Sequence, residues 1–454
     1  MQQLVNKARQ SVLKNRQLIL DAHAYIWANP ETGYREWKTA RYLETAFENL
    51  GYELTRAGNV PGFYTDIDTG RPGPKVLIMG EMDSLICIDH PQADPQTHAV
   101  HACGHSAQSA ALLGIAAALK EPGMLDGLSG SIRLMAVPAE ELIEIGYREQ
   151  LRRDGVIKYM GGKVEFMYRG YMDGCDMAIL FHTSAKPDGD FAFTSSRGSN
   201  GCVTKEMVFE GRASHAGGSP HLGINALYAA NLAINAVNAL RETFRDNDHI
   251  RVHPIITKGG DAVNAIPAQV RVESYVRGAS MPAIISANER VNRAMAGAAL
   301  AMGANVLLTD RPGYHPLVND QAMREIAETA MCALAGREHV EITENWGTGC
   351  TDMGDISAVM PTVQPYACGA VGLGHGNNYY VQDLDKACIG SAQAQVLMAL
   401  MLLSDGAEKA RSVIARKNTA FESMADYFAA MDAVELDLRA VTYGESSAQV
   451  SWKK

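Results

Sequence analysis

The 454-residue chain exceeds one ordinary domain core and predicts two or three domains. Its 47% hydrophobic and 20% charged residues are those of a globular protein, and a net charge of −10 without a basic stripe excludes nucleic acid as an expected partner. Eight cysteines (87, 103, 175, 202, 332, 350, 368 and 388) form no CxxC pair, which excludes a zinc ribbon and favours reduced thiols over a disulfide framework. No apolar run comes near the ~20 residues of a membrane span. The amphipathic N-terminus MQQLVNKARQSVLKNRQLIL lacks a signal-peptide pattern, so a cytoplasmic protein with no membrane partner is expected.

Residues 10–50 read as helical, broken at Pro30 and Gly33, with a second helix starting near Trp37. KVLIMG (75–80), SIRLMAVPAEE (131–141) and DMAILFH (176–182) read as short strands buried on both faces, with helices between them, the clearest at 105–120. Such alternation predicts an α/β sheet with covered faces. The middle differs. A half-exposed strand at 201–218 ends in a loop, a helix covers 224–242, alternating strands cover 249–260 and 268–278, and a helix spans about 283–303. Strand–helix–strand–strand–helix is an α+β unit large enough to stand as a separate domain. The predicted architecture is therefore one α/β domain, residues 1–195 and 316–454, with a smaller α+β, ferredoxin-like domain, 196–315, inserted into it. The tail from about 405 reads as mostly helical.

HACGHSAQSAALLGIAAALK (101–120) places a thiol and an imidazole two residues apart at the mouth of a helix. A catalytic thiol and an open catalytic metal site both fit those residues alone. Other polar groups fall at strand ends: Glu81 and Asp83 after the first strand, Glu140 and Glu141 after the second, His182 after the third, and His375 in a Gly-rich loop. Open α/β sheets bind ligands beyond the carboxyl ends of their strands. On one sheet, Cys103, His105, Glu140, Glu141, His182 and His375 would converge into a thiolate, imidazole and carboxylate set suited to a transition metal. Singly, each has a plainer reading: Cys103 as packing, Glu140 and Glu141 as acids favoured by a helix dipole, His215 of ASHAGG as a solvated turn residue.

The motifs GEMDSL, HACGH, PAEE, FHT, GRASHAG, GGDAVNAIPA and GTGCTDMGDIS occur in one order, and in this the chain resembles the M20 metallopeptidase/amidohydrolase family. Within it the sequence is similar to the aminoacylase-like amidohydrolases, which include p-aminobenzoyl-glutamate hydrolase subunits. The resemblance implies one or two divalent metal ions, zinc or manganese with cobalt or nickel as alternatives, on Cys103, His105, Glu141, His182 and His375. It implies Glu140 as general base and Asp83 as a support behind the ligands. It implies that His215, on an inserted lid and dimerisation domain, reaches a neighbouring subunit's site to steady the oxyanion, and that Asn264 and Arg277 hold substrate. The expected reaction is hydrolysis of the amide of an N-acyl or aryl-acyl amino acid, a small carboxylate-bearing substrate, by a homodimer or larger homo-oligomer. Hydrolytic deamination of an aminobenzoate and a non-catalytic binding subunit are the alternatives. Two departures stand out. Ser106 and Gln108 replace the family's usual Asp or Asn and His, and PAEE runs into LIEIGYREQ rather than glycines.

Overall fold

The computed structural model describes residues 1–185 and 190–453, which divide into two compact units. Unit 1 comprises Met1–Gly198, Val318–Trp346 and Asp355–Glu422; unit 2 comprises Ser199–Leu317, Gly347–Gly354 and the chain from Ser423 onward.

Unit 1 is built on a sheet in which β2 (Lys75–Glu81) runs parallel to β3 (Ser131–Val137) on one side and to β4 (Met177–Ile179) on the other. Strand β1 (Phe63–Asp68) pairs antiparallel with β3, and Thr362–Val363 extends the sheet parallel to β4. Every residue of β2 and β3 after the first is buried, as near-continuous apolar strands with both faces covered require. The third strand differs from its sequence reading. β4 stops at Ile179, and His182 opens a separate strand, His182–Ala185, parallel to Tyr366–Val371 in another sheet. The amides of Leu180 and His182 bond to the carbonyls of Val363 and Pro365, so the chain changes ladders between them.

Helix α1 (His105–Leu119) is buried at every residue. Apolar on all sides, it is a core helix rather than an amphipathic one. Arg16–Ala28 and Ser391–Leu403 pack on it, and its approach to β2 requires Gly80, where a Cβ would sit 3.1 Å from the Leu112 Cβ. Side chains such as Leu112, Leu113, Ile115, Ile78 and Phe63 share this core, each adding about 1.5–3 kcal/mol by leaving water. The segment Asp385–Leu403, 19 residues of mean hydropathy 1.4, is long and apolar enough to cross a membrane, which corrects the sequence reading; 83% of its most apolar window is buried in the protein.

Unit 2 follows the order β5 (Gly201–Glu210), α3 (Ala226–Leu240), two short strands (Arg251–Val252 and Ile255–Lys258), β6 (Gln269–Gly278), α4 (Met281–Ala301) and β7 (Asn305–Tyr314). Its sheet is antiparallel, with β5 between β6 and β7. That central position explains why β5 is largely buried, where its sequence read as half exposed. Asn225 caps α3 through the Tyr228 amide, and Ser280 caps α4 through the Ala283 amide just before Pro282.

The tail corrects both the domain boundary and the helical reading. Residues from Ser423 onward belong to unit 2, and β8 (Leu436–Arg439) pairs with β7 from Leu307↔Arg439 to Asp310↔Leu436. It covers what would otherwise be an open strand edge, while Leu436, Ala440 and Val441 join the unit 2 core.

Candidate metal centre

Three strand ends and two loops of unit 1 build the centre. The first ligand loop turns at Gly104, whose φ of 93° is left-handed and where a Cβ would meet the Tyr379 hydroxyl at 2.5 Å. This tight turn places Cys103 just ahead of α1 and His105 at its first residue. His105 is fully buried, and its Nδ1 lies 3.0 Å from the Asp83 carbonyl and 3.1 Å from Asp83 Oδ1. Two oxygens at Nδ1 hold a proton there, so that Nε2 is the nitrogen that would face a bound cation. Asp83 also accepts from the Glu141 amide at 2.8 Å, so one carboxylate aligns two candidate ligands.

After β3 the chain enters Pro138–Glu141 with Ala139 at a φ of 57°, strained for a residue with a side chain. Two buried groups hold that backbone. Glu36 accepts from the Ala139 amide at 2.7 Å, and Arg148 donates to the carbonyls of Ala139, Met160 and Glu141. Arg148 lies on α2 (Ile145–Arg153), so LIEIGYREQ supplies a buried brace for the acidic pair. His375, also at a positive φ, is drawn in by its amide, which donates to the Ala102 carbonyl at 2.9 Å.

Cys103 Sγ lies 3.5 Å from His182 Nε2, and His375 Nε2 lies 3.2 Å from Glu141 Oε1. Two triads result, Cys103–His105–His182 and Cys103–Glu141–His375, the donor atoms within each lying within 4.8 Å of one another. They share the Cys103 sulfur. Glu140, 3.8 Å from His105 Nε2, joins His105 and Glu141 in a third group.

The electrostatics separate these groups. Burial and Glu141 push the Cys103 thiol up, but His105 and His182 outweigh them and bring it down to about 6. Burial opposes charge on Glu141, yet His375 carries it down to about 2, and the same pairing raises His375 to about 11. Glu140 is instead raised well above the ordinary carboxylate range, first by burial and then by the charges of Glu81 and Glu141. Among the described residues, buried His105 Nε2 and Glu141 Oε1 have no well-aligned hydrogen bond, only ion-pair contacts at 3.2 Å with Glu81 Oε2 and His375 Nε2. Donor atoms in this state among thiolate, imidazole and carboxylate fit a divalent transition metal.

The structure thus brings together Cys103, His105, Glu140, Glu141, His182 and His375, with Asp83 behind His105. His215, Asn264 and Arg277 lie in unit 2. His215 and Asn264 are neighbours there: His215 bridges Ala265, and the Ala216 amide donates to the Asn264 carbonyl at 2.9 Å. Arg277 stands near the far end of β6, opposite Cys202, while Gln269 at the near end opposes Glu210. Eight strand residues correspond to about 26 Å, so unit 2 holds its three predicted site residues in two places.

Sequence reasoning noted Glu81 but gave it no role, and it missed Lys163, Arg148 and Glu36. Glu81 sits within β2, paired to buried Lys163, and Gln108 Nε2 donates to it at 2.7 Å. The Gln108 departure thereby gains a partner, whereas the buried Ser106 hydroxyl has none. For Glu81, an acid ending an apolar strand was the available signal; Lys163, Arg148 and Glu36 carried none.

Compared with known proteins, the model of peptidase family M20/M25/M40 matches residues 77–399. One of the p-aminobenzoyl-glutamate hydrolase subunits of Escherichia coli is 30% identical over 312 residues, covering 66% of this chain and 59% of that protein. The human Xaa-Arg dipeptidase is 28% identical, with 82% and 80% covered, and the N-acetyl-L-cysteine deacetylase of Bacillus subtilis is 26% identical, with 72% and 74% covered. Among solved structures, an aminobenzoyl-glutamate utilization protein from Klebsiella pneumoniae superposes with a TM-score of 0.63 at 20% identity, covering 88% of this chain and 98% of that one. A dinuclear metal-binding peptidase from Bacillus subtilis gives 0.61 at 19% identity, with 85% and 97% covered.

Proposed function

The chain belongs to peptidase family M20/M25/M40 and is a hydrolase, and we propose that it is a metal-dependent amidohydrolase acting on an N-acyl or aryl-acyl amino acid. The carrying observation is the pair of ligand triads joined at Cys103, with the raised carboxyl of Glu140 beside them. The acylated amino acids named for two of the relatives support the substrate class.

Cys103, His105, Glu141, His182 and His375 would hold one or two divalent ions, zinc or manganese with cobalt or nickel as alternatives. Such an ion supplies Lewis acidity for both the scissile carbonyl and the attacking water. Glu140 takes a proton from water and returns it to the leaving amine, a contribution of roughly 10²–10⁴ in rate. Asp83 holds a proton on His105 Nδ1, so that Nε2 would face the cation. His215 Nδ1 accepts from the amides of Gly217 and Gly218, which puts its proton on Nε2 and makes that nitrogen a donor for the developing oxyanion. A donor of this kind is commonly worth about 10²–10³ in rate.

A substrate that meets His215, Asn264 and Arg277 together draws on two copies of the chain, because a single unit 2 holds them apart. This supports a homodimer through that domain, in which it acts as a lid. Arg277 is the cation for the substrate carboxylate.

The test is Glu140→Gln. Elemental analysis is expected to find wild-type metal content while amine release falls by roughly 10²–10⁴. A variant that keeps more than a tenth of the wild-type rate removes Glu140 from its role. EDTA is expected to silence the enzyme; survival would point to Cys103 as nucleophile. Ammonia released from an aminobenzoate, with no N-acyl or N-aroyl amino acid cleaved, would replace amide hydrolysis by deamination.

A further inference from the structure

Behind the ligands lies an ion pair that the proposed chemistry does not use. Glu81, the last residue of β2, and Lys163, on the short helix Gly162–Tyr168, are both fully buried, with Lys163 Nζ 2.5 Å from Glu81 Oε1. The other oxygen, Oε2, accepts from Gln108 at 2.7 Å and stands 3.2 Å from His105 Nε2. Each oxygen of Glu81 is thus engaged by a donor from a separate element, and one of them also faces a candidate ligand nitrogen. Asp83 occupies the opposite side of the imidazole, so Nε2 faces a carboxylate oxygen. A buried imidazole nitrogen and a carboxylate oxygen at this separation share positive charge. Lys163 supplies one such charge from behind.

We propose that Lys163 is a positioning residue that sets the charge of the metal centre. Its ammonium holds Glu81 against β2 and cancels one of the negative charges around His105, which limits how tightly the centre grips its cation and keeps that cation a strong Lewis acid. This rests on the metal-dependent reading above. A purely structural lysine would behave differently: its loss would loosen the site and weaken metal binding. A charge-setting lysine makes the opposite sign, because its removal takes away a repulsive positive charge and leaves Glu81 uncompensated beside the cation.

The experiment is calorimetric titration of the metal-stripped full chain with Mn²⁺. Lys163→Met is expected to bind Mn²⁺ at least about tenfold more tightly than wild type, and Glu81→Gln at least about tenfold more weakly. The double variant returns toward wild type, a non-additive cycle that marks direct coupling. Lys163→Arg keeps the charge and stays within about threefold of wild type. Turnover by Lys163→Met is expected to fall roughly tenfold in kcat with little change in KM, as for an effect on the reacting state rather than on substrate binding. If Lys163→Met does not fold, Lys163→Gln takes its place, with the same tightening of at least about tenfold expected. A folded Lys163→Met that binds Mn²⁺ no more tightly than wild type overturns the proposal. A wild type that binds Mn²⁺ but cleaves no acyl amino acid overturns the proposed substrate and leaves this inference standing.

Discussion

Unit 1 buries Lys163 against Glu81, and unit 2 buries Lys205 against Asp310, but the two pairs are finished differently. Asp310 takes Lys205 on one oxygen and the amides of Asn288 and Asn292 on the other, at 2.7 and 2.8 Å. Lys205 also donates to the Asn292 carbonyl oxygen, so lysine and carboxylate close on each other inside the unit 2 core. Glu81 has only one amide on its second oxygen, and that oxygen also confronts Nε2 of His105. The same two functional groups therefore sit among core amides in one unit, where Asn288 Oδ1 is left without a partner, and beside a candidate ligand nitrogen in the other. Burial of a charge pair alone does not mark function; a place beside candidate ligand atoms does.

The largest effect should come from breaking the unit 2 network. Lys205→Met strands the Asp310 carboxylate, and the loss of stability is expected to reach about 3–5 kcal/mol in urea unfolding, with Mn²⁺ affinity unchanged. A change in metal binding would erase the distinction between the two lysines. Next comes a buried group with no charge partner. Burial lowers His23 to about 4 in the folded protein. Because its folded value lies below its unfolded value of about 6.5, the unfolded chain binds the extra proton first. Stability is therefore full above that value and is lost as pH falls toward 4. The loss attributable to His23 amounts to at most about 3 kcal/mol, and His23→Gln is expected to flatten that part of the acid unfolding curve measured by circular dichroism.

Asp83→Asn sharpens the unit 1 side of the comparison. It leaves His105 without its anionic support, and Mn²⁺ affinity is expected to drop roughly 10–100-fold with little effect on stability of the metal-free chain. Unchanged affinity would show that the helix alone aims His105. The smallest effect belongs to a half-exposed pair, Arg271 with Glu206 at 2.6 Å. Arg271→Met should cost about 0.2–1 kcal/mol, less at high salt, since Arg271 lies open to water.

Part of the centre was legible because its chemistry is local. An apolar strand followed at once by an acid or a histidine predicts where that group emerges, and β2 and β3 obey this. The thiol and imidazole of HACGH share one turn, so Gly104 and the start of α1 fix their relation. The supports were not legible. Arg148 reaches back to carbonyls on both sides of Glu140, and Lys163 meets an acid 82 positions away. Nothing in their local pattern separates them from solvated surface charges.

The sequence by itself determined the alternation of elements, the motif order and the residues able to bind a cation, because periodicity and turn chemistry act over a few neighbouring residues. Tertiary structure alone decided that the tail completes the unit 2 sheet, that His215 and Arg277 stand far apart on it, and that Glu81 has a buried lysine behind it. Those outcomes depend on which distant segments exclude water together, and the strength of a charge is set by that exclusion rather than by the identity of the residue carrying it.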